Sequence, residues 1–309
     1  MSKIPRSQEQ SGVPTRKSWR IESVFDDAQK IALTEKVVGL TRKRKPEDYQ
    51  EILAPFLNHR ETGLDAASVV WGVFQRPELV RKPVEAALKP YEKGGRPEEA
   101  CDLIADMGER GSEYIPALEA LISSTKDYDT LWAAACALEA MRANAAPALA
   151  TLLRLLGHES GRIGGAAASA LGHIGPPAIP GLIKIVKKGP VRAKEYAADA
   201  LGRLGPAAEG ALPALVEMRV NPDRDGELQK WQALAIAEIS LKKSLAPMLL
   251  VMTGDENLDL QRRATAALER MEVSRREAVE AARRELADIG DSDPVTAAAL
   301  REALKRFRR

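Results

Sequence analysis

The stretch "AADALGRLGPAAEGALPALVEM" at 197–218 rewrites "AASALGHIGPPAIPGLIKIV" at 167–186, thirty residues earlier. Each copy runs through small residues to an L-G or I-G stop, turns at a proline, and continues into a leucine- or isoleucine-rich segment. A text that recurs at this spacing marks a repeat architecture, because each unit must make the same contact with its neighbour.

Two series fix the period. Prolines recur at Pro83, Pro116, Pro147, Pro180, Pro213 and Pro247, and five residues beyond each stands an apolar side chain: Leu88, Leu121, Leu152, Ile185, Met218 and Met252. The alanine-rich segments carry Trp71, Ile104, Leu138, Leu171, Leu201, Ile236, Leu268 and Leu300. Three residues beyond the first seven comes a second large apolar residue, from Phe74 through Met141 and Ile174 to Met271. Spacings of three place these residues on one helical face. Each unit therefore reads as two amphipathic helices, a proline helix and an alanine helix, the latter closed by glycine and kept closed by the proline after it. A lone pair would leave an apolar stripe uncovered; stacked pairs bury it. The expected fold is all-α, an α-α superhelix of about eight helix pairs. The pairs are 47–58 with 62–75, 78–91 with 96–108, 112–124 with 127–142 and 144–156 with 160–174, then 177–188 with 190–204, 208–220 with 225–240, 244–253 with 256–272 and 275–289 with 293–307.

A proline helix reading P-x-L-x-x-L followed by an alanine helix reading A-A-x-A-L-G-x-L-G resembles a HEAT repeat, in particular the short Ala/Gly-rich kind of phycobilisome-lyase-like proteins. "AADALGRLG" at 197–205 carries that resemblance most closely, and the pattern covers 47–309. The resemblance implies a HEAT/armadillo-type solenoid whose second helices line a concave, partner-binding surface. It does not bring the lyase chemistry with it, because the shared text is scaffold.

Residues 47–309 are thus read as the solenoid, 1–25 as a disordered N-terminal tail rich in polar residues, and 26–46 as a capping helix followed by the basic linker "TRKRKP". Residues 1–46 hold eleven Lys/Arg against five Asp/Glu and 301–309 five against one, while the body between them is acidic. No apolar run is long enough to span a bilayer, and the first residues lack the apolar stretch of a secretory signal. With two cysteines, Cys101 and Cys136, no disulfide framework is expected, and a reducing, cytoplasmic setting is.

Catalytic and metal motifs are sparse. HEAT-repeat deoxyhypusine hydroxylases hold di-iron with several His-Glu pairs; this chain has one, His158-Glu159, besides the isolated His59 and His173. No nucleophile elbow or P-loop string occurs. His173 reads as a cation at a helix C-terminus, and the cysteines as small fillers of a tight seam. No metal, cofactor or catalytic residue is expected.

Binding candidates lie early in the alanine helices. Trp132, Tyr196 and Trp231 are aromatic anchors at matching places in their units, and Arg162, Arg192, Lys194, Lys230, Arg262 and Arg263 form a basic ladder beside them. Glu195, Asp199, Glu227, Glu256 and Asp259 stand close by and oppose that ladder's field. The expected function is a non-catalytic scaffold or adaptor that holds a protein partner. The alternative is a nucleic-acid-binding solenoid, resembling the HEAT-like alkylpurine DNA glycosylases, that uses the ladder and the basic termini.

Overall fold

The computed structural model describes residues 55–58, 63–89, 94–218, 226–289 and 292–306, and every regular element among them is helical. The tail and capping segment expected in 1–46 lie outside the described residues. By contact the chain divides into Met1–Ala87 and Leu88–Arg309.

In the first unit, α1 (Gly63–Phe74) packs on α2 (Pro77–Ala87). Leu64, Val70 and Trp71 are buried in α1, and Leu79, Val80 and Val84 in α2. This matches the apolar spacing of the sequence.

The second unit alternates the two helix types. The alanine helices are α3 (Pro97–Met107), α5 (Tyr128–Ala140), α7 (Gly161–Ile174), α9 (Val191–Leu204), α11 (Gly226–Ser240) and α13 (Leu258–Arg270). The proline helices between them are α4 (Ile115–Ser124), α6 (Leu149–Leu155), α8 (Ile179–Lys188), α10 (Leu212–Val216) and α12 (Ala246–Met252). A last pair, α14 (Arg275–Ile289) and α15 (Pro294–Arg306), follows. Each alanine helix from α3 to α13 packs directly on the next, and the packing among the proline helices is sparser.

The proline segments depart from the sequence reading in one respect. Each was expected as a single helix, but a 3-10 segment precedes the α-helix: Gly108–Tyr114, Arg142–Ala148, Pro176–Ala178, Gly205–Ala211 and Lys243–Leu245. Proline is the reason. Pro116, Pro180, Pro213 and Pro247 occupy the first turn of their α-helices, where the missing N–H costs nothing and the ring would clash with any preceding α-turn.

The seam is built from alanine with a few larger residues per helix. Ile104, Leu138, Leu171 and Leu201 are fully buried, flanked by buried alanines such as Ala134, Ala168 and Ala198. Helix α11 breaks the expected series: Ile236 is only partly buried, and Ala237 takes its seat. One turn earlier the buried Leu234 stands where α9 has Ala198, so the large and small residues have exchanged places and the seam stays filled.

What ends the alanine helices is a residue with positive φ. It is Gly108, Gly175 and Gly205 after α3, α7 and α9, but Arg142, Leu241 and Glu272 after α5, α11 and α13; Gln75 does the same after α1. Gly175 has φ 91° and ψ −152°, a region closed to residues with a side chain, yet a Cβ there would meet no atom within 4 Å. The constraint is therefore purely one of backbone. Gly175→Ala should lower unfolding stability in urea by about 1–3 kcal/mol, whereas Gly210→Ala, also in open space but without positive φ, should leave the midpoint nearly unchanged.

Candidate functional site

Asp127 opens α5 by accepting from the Thr130 N–H at 2.8 Å, which holds the first turn in place. One turn on, Trp132 is partly buried, and the Arg162 guanidinium of α7 lies 4.3 Å above its ring. Arg162 also pairs with Asp129 at 3.2 Å. The first ladder cation is thus stacked and neutralised by the preceding repeat.

Tyr196 behaves differently from the two tryptophans. Trp132 and Trp231 stand ten residues before the positive-φ residues Arg142 and Leu241, but Tyr196 stands nine before Gly205. One residue is about 100° of helix rotation, so the three aromatics are not at matching places. Tyr196 lies against the previous helix, where a Cβ on Gly164 would be 2.5 Å from its ring, and its hydroxyl donates to the Gly161 carbonyl at 3.1 Å. Trp231 packs on the C-terminal apolar cluster around Leu234, Leu249 and Leu260, with Arg263 at 5.4 Å from its ring.

Of the other ladder residues, Lys194 is partly buried and Arg192 exposed, its Nη1 donating to the Glu159 carbonyl at 3.1 Å. Lys230 bridges Glu227 at 2.8 Å and Asp255 at 2.7 Å. Arg262 is exposed and donates from Nε to the Leu258 carbonyl at 3.1 Å.

Arg263 does not belong to an outward ladder. It sits nine residues before Glu272, the seat of Tyr196 in its own unit, and turns inward with its side chain 13% exposed. It pairs there with Asp199 of α9 and, at 2.6 Å, with Glu238 of α11. Arg203 adds bonds of 2.9 Å to Asp199 and to Asp259. One network of five charges thus ties α9, α11 and α13 together. Glycine makes room for it: a Cβ on Gly202 would collide with Glu238 Oε2 and crowd Arg263. Asp199 and Glu238, each set among buried alanine or isoleucine neighbours, are the residues that sequence reading missed as interior charges; a carboxylate flanked on both sides by seam residues is the signal for them.

The nucleophilic and metal-binding side chains are held quiet. Burial, aided by nearby Asp102, keeps the Cys101 thiol protonated, and burial together with Glu139 pushes Cys136 up to about 12. His158 Nδ1 accepts from the Ser160 N–H at 3.0 Å while its ring meets Tyr128 edge-on. His173 Nδ1 lies 3.6 Å from Glu139 Oε1, which also accepts from Ser169 Oγ at 2.7 Å. Among the described residues no three His, Cys, Asp or Glu side chains come together as metal ligands, and no helix is long and apolar enough to cross a membrane. His59 lies outside the described residues.

With the fold in view, the chain is an all-α array of repeated helix pairs. No family model and no curated protein matches the sequence. Among solved structures, the complex of CpcE and CpcF of phycocyanin lyase from Nostoc sp. is similar at 19% identity over 75% of this chain and 94% of that one, with a TM-score of 0.42. A designed armadillo repeat protein in complex with the peptide (KR)4 is similar at 19% identity over 61% of this chain and 98% of that one, with a TM-score of 0.37. An engineered protein at 19% identity covers 67% of this chain and 96% of its own, with a TM-score of 0.38.

Two outcomes follow from the site's electrostatics. Removing Arg263 from the inner network leaves the buried Glu238 without its cation and Asp199 with Arg203 alone, so Arg263→Met should cost about 3–5 kcal/mol in urea unfolding, and adding Glu238→Gln should recover much of the loss. Asp102, exposed on the acidic face of α3, is pushed up to about 6 by desolvation against neighbouring parts of the chain and then by Asp106, Glu99 and Glu98. A carboxyl with a raised folded pKa stabilises below its ordinary pKa of 3.8 and loses that contribution as pH climbs through about 6. Asp102→Asn should therefore unfold at higher urea than the parent at pH 7.5 and be indistinguishable from it at pH 3.5.

Proposed function

We propose that the chain is a non-catalytic protein-binding scaffold, with a partner seated along the alanine-helix face that carries Trp132, Trp231, Arg162, Lys194, Lys230 and Arg262, Tyr196 being turned onto the preceding helix. The observation that carries this reading is the pairing of the ladder. Arg162 with Asp129, Lys230 with Glu227 and Asp255, and the inner network around Arg263 take three of the six ladder cations out of the positive field that a phosphate backbone would need. What remains on that face is mixed polar surface with partly exposed aromatic rings, the composition that protein partners use for anchoring.

Packing supports the choice of face. Alanine and glycine bring successive alanine helices into close contact while the proline helices stay further apart, and a stack whose two layers are unequally spaced bends toward the closer one. The alanine layer is then the inner wall, where a bound segment touches several repeats at once.

The test is affinity capture from a lysate of the source organism with the intact chain as bait, read by mass spectrometry. Trp132→Ala with Arg262→Glu should lose the captured protein by tenfold or more while retaining the unfolding midpoint. Retention of the partner by that variant removes this face from the interface. Tight binding of duplex DNA with a steep negative dependence on salt would favour the nucleic-acid reading instead.

A further inference from the structure

Charge is distributed along the second unit in blocks. Residues 140–194 hold eight Lys/Arg and one Asp/Glu, whereas 95–139 hold ten Asp/Glu against three Lys/Arg and 195–240 hold eight against four. A strongly basic band thus lies between two acidic ones.

Five exposed members of the band gather on one edge, where proline helices end and alanine helices begin; of the other exposed cations, Arg162 is paired with Asp129 and Arg142 lies at the opposite end of α5. Arg154 stands in the last turn of α6, Lys187 and Lys188 in the last turn of α8, and Arg192 in the first turn of α9. Lys184 shares a face of α8 with Lys188. All five side chains are exposed. The two turns that carry them lie side by side: a Cβ on Gly157 would meet Ala193 at 3.8 Å and Pro190 at 4.0 Å, and Arg192 reaches across to the Glu159 carbonyl.

These cations, of which Arg192 also belongs to the ladder, are uncompensated, unlike Arg162, Lys230 and Arg263. Among the described residues Arg154, Lys184, Lys187 and Lys188 enter no ion pair, and Arg192 is fixed by a carbonyl that leaves its charge standing. Helix-dipole stabilisation does not account for them. The equivalent helices α4, α10 and α12 end with no basic residue in the last turn, and Lys184 lies before the last turn of α8.

We infer that this edge is a docking site for a short acidic segment of a protein partner. The inference rests on the scaffold reading for the partner being a protein, but not on the face proposed for it. Size selects the occupant. Two repeats at about 10 Å per helix spacing give roughly 20 Å of basic edge, which an extended peptide of about six residues spans. One turn of duplex DNA is about 34 Å long. It would run past the band onto the acidic repeats on either side, further than the screening length of about 8 Å at physiological salt. Those flanking carboxylates, Asp127 on one side and Glu217 on the other, also set register. They repel a longer polyanion and favour an acidic run bordered by neutral or basic residues.

Fluorescence anisotropy of a labelled hexaglutamate peptide on the full chain tests the site. A variant with Arg154, Lys187, Lys188 and Arg192 all changed to Gln should bind about tenfold more weakly at 50 mM salt, since each exposed pair contributes roughly 1.5- to 5-fold. A control with Lys242, Arg276, Arg301 and Lys305 changed to Gln removes the same charge and should bind like the parent. Equal weakening in both variants would show a response to net charge and overturn the site, as would tighter binding of a duplex oligonucleotide than of the peptide. Sedimentation showing that the edge variant dissolves a self-association of the chain would also overturn it, by making the occupant a second copy. If Trp132→Ala with Arg262→Glu keeps its captured protein while the edge variant loses the peptide, the face is wrong and the edge stands. The reverse result leaves the face and removes the edge.

Discussion

The spacing between successive alanine helices governs everything else in the second unit. Alanine along α5, α7, α9 and α11 lets neighbouring axes approach closely, and a few leucines and isoleucines fill the remaining space. Where the approach is closest, even alanine is too large: Gly164 lies beneath the Tyr196 ring, and Gly202 makes room for Glu238 and Arg263. The proline helices form a second, more sparsely packed layer. Their short α-segments and 3-10 lead-ins then take up whatever length each unit has left over, so the repeat tolerates units of different length without disturbing the seam.

That division explains what was legible in the sequence. The period and the helix pairs were readable because seam positions admit few residue types. Leu138, Leu171 and Leu201 announce themselves at fixed spacing and are buried as expected. Helix termination was only half readable. Gly175 and Gly205 signal it, but Arg142, Leu241 and Glu272 adopt the same sign of φ with side chains that give no hint of it. A left-handed residue costs about 1–2 kcal/mol without glycine, an amount that a well-packed seam on either side can impose. The misplacement of Ile236 has the same origin, since the large residue moved one turn to Leu234 and the remaining pattern offered a neighbour in its stead.

For the candidate site the limits were electrostatic. A linear text shows that Arg262 and Arg263 are adjacent, and helical rotation decides that one faces water while the other enters a network with Asp199 and Glu238. Counting both in one ladder overstated the exposed positive charge. Tyr196 was displaced from the tryptophans by one residue for the same reason, and that single step carries its ring onto the glycines of the previous helix. Seam and network together fix which positions of a unit have no freedom left.

The positions that retain freedom are the turns between proline and alanine helices. No seam residue is drawn from them, and their charges need satisfy no neighbour. In the units around α6 and α8 these turns carry unpaired lysine and arginine, while the turn before α5 presents Asp127 and Asp129. Selection for packing alone would leave such positions varied and locally balanced, as Lys230 is balanced by Glu227 and Asp255. Same-sign charges gathered on adjacent turns repel one another, a standing cost that the fold itself does not require. An oppositely charged segment laid across the two turns would remove that repulsion. The alanine seam accounts for how the repeat holds its shape; the blocks of charge are not needed for that.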